Sequence, residues 1–174
     1  MSKIELKKEL QKLTKEQLIE QITELYSMYK PVKEHYKIFL NPNNMQDLFE
    51  QYKAIIVNKF NPARIAWNIR TCFPAAKKAI KEFSALKPPP KLLADLWITL
   101  VENACDLTDQ YGDMPEQHYD NTMDCFEKAL TYMKKVGLLN DFKPRCKKCL
   151  KDAIKCGGGF SDGMSDVYYE YFEK

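Results

Sequence analysis

Apolar residues recur along this chain at spacings of three and four, the period that puts side chains on one face of an α-helix. Nowhere do they alternate in the way that marks a strand. Leu18, Ile22, Leu25 and Tyr29 form the first such stripe. Two start signals precede it: Ser2 with Glu5, and Thr14 with Gln17, each a capping box that satisfies two otherwise orphaned amides. Leu13 and Leu18 flank the second cap at staple positions. Pro31 disfavours helical geometry in the residue before it, so this helix is predicted to end near Lys30. A shorter helix over residues 32–40 follows, then a turn at Asn41-Pro42-Asn43-Asn44.

Leu48, Phe49, Tyr52, Ile55, Ile56 and Phe60 give the next apolar face, closed by Asn61-Pro62. Pro62 suits the first turn of a further helix, and Pro74 predicts a kink or restart before a segment at 75–86. Pro88-Pro89-Pro90 is a stiff extended connector that opens the most regular stripe in the chain: Leu92, Leu96, Leu100, Ala104, Leu107 and Tyr111. After the turn at Gly112-Asp113-Met114-Pro115 another face carries Tyr119, Met123, Phe126, Leu130 and Met133. Lys134 and Lys135 stand where a helix C-terminus favours cations, and Gly137 where a left-handed cap is wanted. A helix from about Pro144 to Gly157 and a short aromatic one over 161–172 complete the pattern.

These elements predict an all-α fold, an array of antiparallel helical hairpins that is HEAT/armadillo-like or an irregular helical bundle, in a single domain over residues 1–174. A weak internal similarity suggests duplication. Asn44-Met45-Gln46-Asp47-Leu48-Phe49-Glu50 parallels Asn121-Thr122-Met123-Asp124-Cys125-Phe126-Glu127, which sets pseudo-repeats at 14–86 and 90–156.

Composition narrows the function classes. At 174 residues with 45% hydrophobic and 29% charged side chains, the chain can hold its own core and is not a disordered segment. Apolar runs stop at four residues, as in Ala54-Ile55-Ile56-Val57, far short of the roughly 20 that span a bilayer. The opening residues lack a secretory signal's apolar core, so the six cysteines are expected as thiols in the cytoplasm. The net charge of +3 conceals strong segregation. Residues 92–127 carry nine carboxylates and no lysine or arginine, between 73–91, with five lysines against Glu82, and 128–156, with nine basic residues against Asp141 and Asp152. Such blocks either dock on one another within the fold or present fields to partners.

The opening quarter carries a likeness, in Glu5-Leu6-Lys7-Lys8, Gln17-Leu18-Ile19-Glu20-Gln21-Ile22, Tyr29-Lys30-Pro31-Val32-Lys33-Glu34 and Phe39-Leu40-Asn41-Pro42. Over its first 42 residues it resembles a family of small bacterial all-helical proteins, a domain of unknown function. That resemblance implies a helical fold and no particular activity. The Glu5-Leu6-Lys7 and Gln17-Leu18-Ile19 pair is also superficially similar to helix-extended-helix modules that bind nucleic acid, though with a shorter link and without the module's glycine.

Three constellations bear on chemistry. Cys146 and Cys149, spaced as CxxC, fall with Cys156 on one helical face and could supply three zinc ligands or buried small hydrophobes. Asp106 with Asp109, and Asp124 with Glu127, are i, i+3 pairs on successive helices, an arrangement that could hold Mg²⁺ or Mn²⁺ for a nucleotide hydrolase. Lys147, Lys148, Lys151 and Lys155 line a basic helix able to contact phosphates. With only His35 and His118 in the chain, no catalytic residue and no cofactor are assigned. The leading expectation is a non-enzymatic protein–protein interaction or scaffold domain, with the acidic helix pair and the basic segment as docking fields and another protein, not a membrane, as partner. A metal-dependent nucleotide hydrolase and a nucleic-acid accessory protein are the alternatives.

Overall fold

The computed structural model describes residues 1–41, 44–65 and 71–173, which gather into two compact units, Met1–Met45 and Gln46–Lys174. Among the described residues the fold is all-α with no strand.

In the first unit both predicted capping boxes form. Ser2 Oγ accepts from Glu5 N–H at 3.2 Å while Glu5 Oε2 accepts from Ser2 N–H at 2.6 Å, starting α1 (Lys3–Leu10). Thr14 and Gln17 repeat the exchange at 3.2 and 2.9 Å and start α2 (Lys15–Met28). Proline acts earlier than expected. Tyr29 turns extended, with φ −120° and ψ 118°, and caps both the end of α2 and the start of α3 (Lys30–Leu40), which places Pro31 in a first turn that needs no donor from it. An edge-on contact of Tyr26 with Tyr36, centroids 6.5 Å apart, joins α2 to α3 as a hairpin. The turn expected at residues 41–44 lies partly outside the described residues.

The second unit holds the main core. It comprises α4 (Asn44–Lys59, from Gln46 on), α5 (Pro62–Ile65), α6 (Cys72–Ala85), α7 (Pro90–Tyr111), α8 (Glu116–Lys135), α9 (Leu139–Cys156) and α10 (Gly158–Phe172). The links after α7, α8 and α9 are short, so successive helices reverse direction and α7 to α10 form a four-helix bundle. In it α7 packs on α8 and α9, and α10 closes the ring against the same two helices. α6 lies on α7, and α4 joins through Phe49 and Tyr52, whose rings lie 6.3 and 5.4 Å from that of Phe83. At its centre α7 is buried on most sides, from Leu93 to Thr108.

The bundle departs from the sequence pattern at helix ends. Tyr111, assigned to the inward stripe, is 55% exposed and donates to Pro62 O at 3.4 Å; the stripe stops at Thr108. α6 starts at Cys72 with Pro74 inside its first turn, where no restart is needed. α9 starts at Leu139, five residues ahead of Pro144, because Gly137 ends α8 in a left-handed conformation with φ 73° and Leu138 N–H then reaches back to Met133 O at 2.8 Å. α10 likewise begins at Gly158, directly after Gly157 caps α9 with φ 72°.

Candidate interaction surface

The charged segments meet inside the second unit. Arg145 of α9 lies across the acidic face of α7: its Nε and Nη2 fork onto the Glu102 carboxylate at 2.8 and 2.5 Å, and Nη1 reaches Asp95 at 2.8 Å. Nη2 also donates to Thr99 Oγ1 at 3.1 Å, and Lys53 of α4 takes the other Asp95 oxygen at 3.0 Å. Burial works against the guanidinium's charge, but Glu102 and Asp95 outweigh it and hold its pKa above the ordinary value. On α8, Asp124 is clamped by Lys77 at 3.1 Å and Lys128 at 2.6 Å. Burial raises that carboxyl, and the two lysines more than reverse it, so its pKa lies below the usual range.

The candidate ligands are distributed among these roles. Asp106 pairs with Lys148 at 3.3 Å, Asp109 lines a cleft with Asp113, Tyr119 and Cys156 at the end of the bundle, and exposed Glu127 borders a groove with Trp97 and Tyr132. Cys146 and Cys149 are fully buried. Burial pushes the Cys146 thiol up to about 12, and a hydrogen bond with Cys105, then burial, hold Cys149 well above its ordinary value. Cys156 alone is exposed, its Sγ donating to Asp152 O at 3.4 Å. Among the described residues no three His, Cys, Asp or Glu side chains are grouped to hold a metal ion. Of the four lysines, Lys148 and Lys155 bind Asp152 at 3.6 and 2.8 Å, while Lys147 and Lys151 face solvent.

Two features escaped the sequence reading. One is His118, 3% exposed between α7 and the start of α6. Its Nε2 lies 3.2 Å from Ala104 O and 3.0 Å from Thr108 Oγ1, and Nδ1 has no partner. Burial lowers its pKa, and the Ala104 carbonyl opposes this only in part. The periodic setting of His118, one residue before Tyr119, was the available signal.

The other is the surface of the first unit. Thirteen of eighteen exposed large apolar side chains among the described residues fall within the first 40. Neither α1 nor α2 buries a single residue, and α1 makes no extended packing contact with α2 or α3. The first apolar stripe of the sequence is largely open: Ile22 is 38% exposed, Leu25 44% and Tyr29 50%, with only Leu18 half-buried, and Leu6 on α1 is 41% exposed. Exposed apolar side chains concentrated in one segment in this way point to an interaction site, whereas isolated ones such as Ile154 on α9 are ordinary.

A model of a family of unknown function matches residues 1–171, well beyond the 42 residues whose likeness was legible. The chain belongs to that family, DUF6155. No curated protein and no solved structure matches the chain. For this family member the physical properties of the surface therefore carry the functional argument. No helix is long and apolar enough to cross a membrane among the described residues.

Proposed function

We propose that this protein is a non-enzymatic interaction module that binds another protein through the apolar face of its first unit. The observation that carries this reading is the unburied pair α1 and α2, with Leu6, Leu10, Leu13, Ile22 and Leu25 all open to solvent. Both helices are capped locally, so the face is formed before a partner arrives and binding need not order it. The charge blocks first read as docking fields have a different role in this account, because Asp95, Glu102, Asp106 and Asp124 are neutralised by Lys53, Lys77, Lys128, Arg145 and Lys148. The setting is the cytoplasm, where the six free cysteines stay reduced.

Co-purification from extract of the native host tests the reading. Ile22→Glu with Leu25→Glu is expected to abolish retention of bound protein, while Lys147→Glu with Lys151→Glu leaves it intact. Equal retention by both variants and the unaltered chain would overturn the assignment of the surface.

A further inference from the structure

The charges beside the open face indicate what covers it. Residues 3–15 carry five lysines and two glutamates, and residues 16–28 carry three glutamates and no basic residue. The switch in sign falls in the first turn of α2, between Lys15 and Glu16. Within the chain the two halves do not neutralise each other: Lys12 pairs with Glu9 in its own half at 2.8 Å, and α1 does not pack along α2. Apolar surface follows the same division, with Leu6, Leu10 and Leu13 in the basic half and Leu18, Ile22 and Leu25 in the acidic half, each set recurring at helical spacing.

A stretch with a basic apolar half followed by an acidic apolar half is complementary to itself when reversed. Resting on the interaction reading above, we infer that the protein covering this face is a second copy of the chain. Residues 3–28 of two copies lie antiparallel, so that α1 of each packs on α2 of the other about a two-fold axis. The arrangement satisfies both open stripes at once, brings each lysine-rich segment beside a glutamate-rich one, and closes on itself without leaving an end to propagate. A parallel pairing would set like charge against like.

Light scattering on the full-length protein, eluted from a sizing column over a range of loading concentrations, is the test. The expected mass is twice the 20.4 kDa of one chain, with dissociation on dilution. Ile22→Glu should give the single-chain mass with unchanged far-ultraviolet dichroism. Lys7→Glu with Lys8→Glu should weaken the dimer about 10-fold at low salt, and adding Glu20→Lys with Glu24→Lys should restore most of that loss. A single-chain mass at every concentration would overturn the inference, as would a dimer indifferent to Ile22→Glu or charge reversals that the swap does not rescue. The two readings fail separately: a monomer that still retains a foreign protein through Ile22 and Leu25 removes the second copy and keeps the interaction module, and a monomer that retains nothing removes both.

Discussion

Arg145 is a single side chain with carboxylates on two turns of α7, and its planar fork matches Glu102 as an ammonium cannot. Removing it would leave Asp95 and Glu102, 24% and 18% exposed, with Lys53 on Asp95 and the more distant charge of Lys148 near Glu102. Arg145→Ala should lower unfolding stability in urea by about 2 kcal/mol, below the roughly 3–5 of a fully buried pair because water reaches the site, and Arg145→Lys should recover less than half of it. His118 gives a pH dependence of definite sign. Its pKa is below the ordinary 6.5 in the folded chain because burial disfavours the imidazolium, and Nδ1 has no acceptor for a second proton. The unfolded chain therefore takes up the proton first. Stability is complete above about pH 6.5 and falls as pH drops below it, until the folded-state pKa is passed. Urea midpoints between pH 7.5 and about 5 should show this slope, and His118→Gln should flatten it. Asp124, held below the usual carboxyl range, adds its own loss only at lower pH.

At the scale of elements, local chemistry was legible and neighbours were not. Ser2, Thr14, Pro90 and Gly137 act within a turn of where they stand, so the starts of α1, α2 and α7 and the end of α8 could be read directly. The start of α9 was misread at Pro144 because the Gly137 cap turns the chain early enough for a full helical turn ahead of the proline. The stripe of α7 was read correctly to Leu107 and wrongly at Tyr111, since a helix longer than its neighbours leaves its last turn uncovered. Close approach of α8 and α10 was invisible in sequence. Gly163 lies where an added Cβ would meet Met123 Sδ at 2.3 Å. Met123 is a flexible, half-buried side chain that can swing aside, so Gly163→Ala should lie within about 1 kcal/mol of neutral, and Met123→Ala in the same chain should let alanine's better helix propensity show in full. A double-mutant cycle in urea measures that coupling.

Across the whole molecule, segregated charge had two readings in the sequence, docking within the fold or a field for partners. Spacing alone could not choose, because which lysine meets which carboxylate is decided by the packing of α4, α6 and α9 around α7 and α8. Arg145, Lys53 and Lys77 settle much of it inward. The stripe on α2 misled in the opposite sense: helical periodicity says that a face is apolar and not that the chain itself covers it. The central claim is that this face is the protein's binding surface and the bundle is its support. A photoactivatable crosslinking residue placed at Ile22 of α2, and in a separate protein at the more exposed Ile154 of α9, tests it most directly in living cells. Discrete crosslinked species from Ile22 and none from Ile154 are expected; crosslinks from Ile154 with none from Ile22 would contradict the account.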